Sequence, residues 1–318
     1  MPKIGPLIFG YPMPTSALCV RNCSKTYANG FEALKNVSFD VDQGDFTVLL
    51  GLNGAGKTSL ISMITGLSTI TKGNISIFKH DVVSDNFNAK QLLGVMPQEI
   101  NFNPFLTIME TLTFYGGYYG LRYDFIEKVS KPLLQKARLW KKKDELVSSL
   151  SGGMRRMVML IRALVVQPKL VILDEPTANL DIEIREIIWG ILRELKKNNV
   201  TVLLTTHNLV EAESLCNKVI IIHQGKLVFN DKIHDAITNL REQYFTIGLT
   251  DKSHDLTFLA SNSYHFDEEK NLVVKVTKDR ALDTLLSTLH QHGVAYSTVA
   301  PTQNQLQQIL KMALYNDS

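Results

Sequence analysis

Cysteine is scarce in this chain of 318 residues: there are three, Cys19, Cys23 and Cys216. That is too few for a disulfide framework and fits a reducing compartment. Cys19 and Cys23 are spaced like half of a metal site, but no second pair completes it, so plain thiols are expected. Long hydrophobic runs are also missing. No stretch of 18 apolar residues occurs, and the best run, 157–166, is interrupted by Arg162, so no bilayer-spanning helix is expected. Segment 1–16 carries Pro2, Pro6, Pro12 and Pro14 and only short apolar pieces. It reads as an irregular extension without the apolar region of a secretory signal. Charge of one sign is absent too: 34 Lys and Arg against 31 Asp and Glu leave a net +3. That bias does not argue for a nucleic-acid partner. There is no repeat and no low-complexity tract. What is present, 45% hydrophobic and 20% charged residues, is an ordinary globular composition. The length suggests about two domains.

From Ala17 the pattern alternates strand-like runs and loops: 17–21, 34–41 and 46–50. The last meets a glycine-rich loop and a helical stretch, 58–65, with Gly66 placed to end it. Residues 99–147 are mostly helical in pattern and rich in aromatics. A helix over 151–166 stops before Pro168. The run 170–173 is apolar throughout, as in a strand buried on both faces. Asp181 then opens an amphipathic helix to about 198, followed by strand-like runs at 200–205 and 219–223. Strand and helix in repetition predict a parallel α/β sheet. Near residue 235 the character changes. Strands at 244–249, 272–276 and 294–299 and helices over 279–290 and 303–314 predict a small α+β unit. The expected division is therefore 1–16, 17–235 and 242–318.

Gly51-Leu-Asn-Gly-Ala-Gly-Lys-Thr58 fits G-x-x-x-x-G-K-[ST], a phosphate-binding loop, and lies between a strand and a helix as that loop requires. The glycines let backbone N–H groups of residues 54–58 turn toward phosphate oxygens, and the helix start adds its positive dipole end. Gly51, Asn53, Gly54, Ala55, Gly56, Lys57, Thr58 and Ser59 are the candidate nucleotide-binding residues. Lys57 would reach the β- and γ-phosphates, and the Thr58 hydroxyl would ligate Mg²⁺. Downstream, 170–173 leads into Asp174 and Glu175. A carboxylate at the end of a buried strand lies at the sheet edge where ligands bind in open α/β sheets. Asp174 is the candidate for Mg²⁺, and Glu175 for a general base aimed at an attacking water.

Leu150-Ser151-Gly152-Gly153-Met154 resembles the signature of the ABC (ATP-binding cassette) ATPases, and the other elements of that family follow in order. Tyr27 matches the aromatic that stacks on adenine. Gln98 matches the Q-loop, Asn179-Leu-Asp181 the D-loop and His207 the switch histidine. The resemblance covers about 17–235. It implies a P-loop ATPase fold with a parallel-sheet core, an antiparallel β subdomain and a helical subdomain, carrying a small C-terminal α+β domain. It implies ATP and Mg²⁺ as ligands. Gln98 would sense the metal and the water, and His207 would orient Glu175 and contact the γ-phosphate. Ser151, Gly152 and Gly153 would close over the nucleotide of a second copy, with Asp181 linking the two sites of a homodimer. Met154 stands where many members have Gln, and Asn179 where Gly is frequent. Met154-Arg155-Arg156, with Phe102-Asn-Pro-Phe105, is similar to the drug-exporter branch of ABC-2 type ATPases and to YadG-type subunits.

That resemblance implies an ATPase motor of a bacterial exporter, peripheral on the cytoplasmic face of the inner membrane and paired with a separate ABC-2 type permease. Phe102, Phe105, Tyr115 and Tyr118 are candidates for gripping the permease, or for packing the helical subdomain. The basic run 136–143 is a solvated face or a contact for anionic headgroups. Alternatives are an importer motor and a soluble, non-transport ABC ATPase. Ribosome-acting members usually carry two cassettes, DNA-repair members long coiled coils, and a purely regulatory binder would lack Glu175 or His207.

Overall fold

The computed structural model describes residues 16–238, 240, 242–250, 256, 259, 264–277, 282–302 and 304–315. The expected irregular extension at 1–16 therefore lies, except for its last residue, outside the described residues.

Two strands open the described chain, β1 (Ser16–Thr26) and β2 (Glu32–Asp42), followed by β3 (Phe46–Leu50) and α1 (Lys57–Ile64). Next come β4 (Lys72–Ile77), β5 (His80–Asp81), α2 (Asn86–Gln91) and β6 (Leu93–Met96). The expected helical stretch resolves into α3 (Ile108–Gly117), α4 (Tyr123–Lys136) and two 3₁₀ turns, Trp140–Lys142 and Val147–Ser149. Then follow α5 (Gly152–Leu164), β7 (Leu170–Asp174), α6 (Ile182–Lys197), β8 (Thr201–Thr205), α7 (Leu209–Leu215), β9 (Lys218–His223) and β10 (Lys226–Lys232). The chain ends with α8 (Ile233–Thr238), β11 (Glu242–Leu249), β12 (Tyr264–Phe266), β13 (Leu272–Thr277), α9 (Leu282–Gln291), β14 (Tyr296–Pro301) and α10 (Gln305–Tyr315).

A six-stranded sheet runs in the order β10-β9-β3-β8-β7-β6. Its β3–β8, β8–β7 and β7–β6 pairs are parallel, in the registers Val48↔Leu204, Leu173↔Leu204 and Met96↔Leu173. Every residue of β3 and β8 is buried, and so are the first four of β7. Such runs are stable as strands only when helices cover both faces, where each Val, Leu or Ile side chain contributes about 1.5–3 kcal/mol. Only Asp174, the last residue of β7, emerges from that cover. A second sheet, β2-β1-β4-β5, is antiparallel. The α3 helix starts in a capping box, with the Thr107 hydroxyl accepting from Glu110 N and the Glu110 carboxylate from Thr107 N.

The described chain divides into two compact units, one running up to His207 with Ile222–Leu227, the other holding Asn208–Ile221 and the described residues from Val228 onward. In the second, an antiparallel sheet of order β12-β13-β11-β14 buries Ile247, Leu249, Leu272 and Val274 against Leu285 and Leu289 of α9. Its α10 is seated on α7 by Glu213, whose carboxylate accepts from Asn304 Nδ2 at 2.7 Å and from Leu306 N at 3.0 Å. Among the described residues no helix is long and apolar enough to cross a membrane.

Candidate functional site

The site lies at the C-terminal ends of β3, β6, β7 and β8, because parallel strands deliver their following loops to one edge of the sheet. A cavity of about 260 Å³ there is lined by loop and α1 residues Asn53, Gly54, Ala55, Gly56, Lys57, Thr58 and Ser59. It is also lined by Gln98, Asp174, Glu175 and His207, with Phe31 and Ala33 at its side.

Tight packing shapes the loop. A Cβ at Gly51 would stand 2.3 Å from the Ile222 carbonyl oxygen, and one at Gly56 2.6 Å from that of Ala33. Gly56 also has φ +109°, a conformation that side chains disfavour, so both positions demand glycine. Gly56 is the residue before α1, and among the described residues no side chain caps that helix. The first N–H groups of α1 thus have no side-chain acceptor and face a cavity at the positive end of a helix, an arrangement that suits an anion. Lys57 Nζ, held by Gly51 O at 2.7 Å and Leu52 O at 3.2 Å, supplies a full positive charge. Its burial pulls its pKa below the ordinary lysine value, against the opposing charges of Glu175 and Asp174.

Asp174 and Glu175 are positioned by Thr205 at the end of β8. The Thr205 hydroxyl donates to Asp174 Oδ1 at 2.5 Å and accepts from Glu175 N at 3.1 Å. Glu175 N also meets Thr205 O at 3.1 Å. Glu175 takes φ +52°, an uncommon conformation for a residue with a side chain, and is only 7% exposed. Its Oε2 accepts from His207 N at 3.3 Å, and its Oε1 lies 3.2 Å from His207 Nε2 without the geometry of a hydrogen bond. That buried oxygen has no hydrogen-bond partner among the described residues, an opening for a water or substrate proton. Burial raises the Glu175 pKa above the ordinary carboxylate value, with the nearby His207 opposing it. A raised pKa makes the carboxylate a stronger proton acceptor once ionised.

The oxygen donors Thr58, Gln98 and Asp174 share this cavity. They are hard ligands of the kind Mg²⁺ takes, and too few to cage it, which suits an ion that completes its shell with phosphates and water. Among the described residues no group of three or more His, Cys, Asp or Glu is placed to hold a metal ion by itself.

Other candidate residues lie outside the cavity. Tyr27 hydrogen-bonds Ser59 Oγ at 2.9 Å through its hydroxyl and is 41% exposed, with Lys25 Nζ 5.1 Å from its ring centre. Ser151 and Gly152 are exposed at the start of α5, with Gly153 half-buried, and the Ser151 hydroxyl accepts from Met154 N at 3.3 Å. Asp181 is exposed and caps α6 by accepting from Ile184 N at 2.9 Å. Asn179 takes φ +58°, which asparagine tolerates, so the turn forms without glycine.

The aromatic candidates separate. Phe102 and Tyr115 each pack 5.2 Å from the Arg162 guanidinium, so they belong to the fold. Phe105 and Tyr118 are exposed, and Tyr118 forms an edge-to-face pair, 5.1 Å apart, with Phe114, an exposed ring that was not among the candidates. Within the basic run, Lys136 pairs with Glu194, Arg138 with Glu183, Lys142 with Glu145 and Lys143 with Asp144. Those pairings favour a solvated face. Phe31, Thr205 and Arg156 were not named as site residues from the sequence. A threonine ending a buried strand one position before Thr206-His207 is the signal that was available for Thr205.

A family model described as ABC transporter matches residues 34–178. The chain is 39% identical over 225 residues to the Nod factor export ATP-binding protein I of Burkholderia lata, covering 71% of this chain and 74% of that protein. The protein of the same name from Rhizobium meliloti is 40% identical over 224 residues, 70% of this chain and 67% of the relative. Among solved structures, an ATP-binding subunit of an ABC transporter superposes with a TM-score of 0.66 at 30% identity, covering 70% of this chain and 92% of that one. A dimeric post-hydrolysis state of the ATP-binding cassette MJ0796, bound to ADP and phosphate, superposes with a TM-score of 0.62 at 26% identity, covering 68% and 98%.

Proposed function

The chain belongs to the ABC transporter family of ATP-binding subunits, and from that premise we propose that it is the motor of an ABC-2 type exporter of the YadG-like branch, working as a homodimer on a separate membrane permease. The observation that carries the proposal is the convergence of Lys57, Asp174, Glu175 and His207 on one cavity at the uncapped start of α1. The export direction is supported by relatives whose names describe export. The branch is supported by Met154-Arg155-Arg156 at the start of α5.

In this reading the backbone N–H groups of residues 54–58 and Lys57 hold the nucleotide phosphates. Gly51, Asn53 and Ser59 shape and complete the loop, and Tyr27 stacks on the base. Thr58 and Asp174, with Gln98 beside them, would hold Mg²⁺, which neutralises phosphate charge when bound. Thr205 fixes the Asp174 carboxylate. Glu175 Oε1 takes the proton of the attacking water, and His207 holds that carboxylate and reaches the γ-phosphate. Ser151, Gly152 and Gly153, exposed in one chain, complete the site of a second copy, and Asp181 couples the two. In this reading the exposed Phe105, Phe114 and Tyr118 offer the permease an apolar grip, and the protein works on the cytoplasmic face of the inner membrane without a nucleic-acid partner.

The test is light scattering and phosphate release on the purified chain with ATP and Mg²⁺. The wild type hydrolyses ATP, and Glu175→Gln accumulates as an ATP-bound dimer. Absence of both hydrolysis and nucleotide-dependent dimerisation overturns the proposal.

A further inference from the structure

The paired arginines after the signature are separated by the fold. Arg155 has an Nε without a hydrogen-bond partner among the described residues, whereas Arg156 uses all three guanidinium nitrogens. Arg156 is 5% exposed and points inward from α5. Its Nε donates to Pro176 O at 3.2 Å, its Nη1 to Gln98 O and its Nη2 to Glu175 O. No ion pair of Arg156 occurs among the described residues. A guanidinium taken out of water without a contacting carboxylate is costly, and here it is offset only by three backbone carbonyls and the nearby charges of Glu175 and Asp174.

The parallel ladder of β6 and β7 ends at Met96↔Leu173. Beyond it one strand continues into the Gln98 loop and the other into the Glu175-Pro176 turn. Both loops turn side chains into the cavity, Gln98 from one and Glu175 from the other. Arg156 bridges the two segments with a planar fork that spreads its donors over three nitrogens, whereas a lysine ammonium offers them all from one atom on a different stem.

We propose that Arg156 is a positioning residue that ties the Gln98 loop to the Glu175-Pro176 turn, so that the two sides of the hydrolytic site shift as one piece. The hydrolysis arm of its test rests on the ATPase reading; the exchange arm does not.

The experiment uses the full chain as wild type, Arg156→Lys and Arg156→Gln. ATP turnover is measured with Mg²⁺, nucleotide affinity with a fluorescent ATP analogue, and backbone hydrogen exchange in peptides covering 97–101 and 175–179. Both variants are expected to lose at least about tenfold in kcat while nucleotide affinity stays within about twofold, because Lys57 and the α1 start are untouched. Exchange should quicken in both peptides together and remain unchanged in β3. Arg156→Lys retains the charge, so its failure to restore kcat assigns the role to the fork. In the wild type, the two peptides should lose protection at the same denaturant concentration, a measurement that stands even where a variant fails to fold. Wild-type turnover in Arg156→Lys, faster exchange in only one peptide, or separate loss of protection in the wild type overturns the proposal.

Discussion

Two helices of this chain begin at glycine-rich signals, and they begin differently. The α1 helix starts at Gly56 with no side-chain cap, against a cavity holding Lys57, Asp174, Glu175 and His207. The α5 helix starts at Ser151, whose hydroxyl caps its own helix, and Ser151 and Gly152 are exposed. The first helix end is matched by polar side chains from three separate segments of the same chain: Lys57, the Asp174-Glu175 pair and His207. The residues that open the second do not line that cavity, and the helix start is capped and exposed. The difference teaches that, in the proposed dimer, each chain carries one side of a phosphate site at α1 and offers the other side of its partner's site at α5.

Several substitutions sharpen or break that comparison. The largest effect is expected at Glu175. Replacing it with Gln should lower kcat by about 10²–10⁴, the range for loss of a general base, while ATP remains bound. Steady-state phosphate release near the wild-type rate would detach Glu175 from the chemistry. Next, Lys57→Ala should weaken ATP affinity by about 10², since it deletes a half-buried charge at the phosphates. Equal affinity in a titration with a fluorescent analogue would show that α1 is no cradle. At the other helix, Ser151→Ala should cost about 1 kcal/mol by removing an N-cap. It should also lower turnover while leaving single-chain ATP affinity unchanged. If it weakens binding to the isolated chain as Lys57→Ala does, the two helix ends are equivalent and the contrast fails.

The smallest expected effect is a pH dependence of stability. Burial places the Glu175 pKa above its ordinary value, so the folded chain binds more protons than the unfolded one between those two values. Stability from this group therefore falls as pH rises through that window, and the penalty is complete above it. Glu175→Gln should melt a few degrees above the wild type at pH 7, and the gain should vanish at pH values below the ordinary carboxylate pKa. A melting difference independent of pH would remove the buried charge as its cause. For turnover the same raised pKa predicts loss of activity at a pH above that of an ordinary carboxylate.

Much of the architecture was legible because its strands are continuous apolar runs. The limits expected for β3 coincide with those observed, and β7 differs only by including Asp174. The strands that went unnoticed carry weak local signals. The β6 strand is four residues long and includes Gly94, where a Cβ would stand 2.3 Å from the Ala163 carbonyl oxygen. That glycine is explained by the approach of α5, which no local pattern reports. The stretches of β4 and β10 are largely polar or half-exposed and are strands because of their partners. The aromatic segment told the same story, since equal-looking side chains were divided by Arg162, which packs Phe102 and Tyr115 and leaves Phe105 and Tyr118 in solvent.

The sequence by itself determined the phosphate loop, the strand that ends in Asp174 and the identity of the family, because each is a local run whose chemistry depends on residue type and spacing. Only the tertiary structure decided that Thr205 holds Asp174, that Arg156 joins the Gln98 and Glu175 segments, and that the Glu175 carboxylate is buried with one oxygen lacking a hydrogen bond among the described residues. These depend on distance between segments far apart in the chain, and burial and hydrogen bonding are properties of that distance.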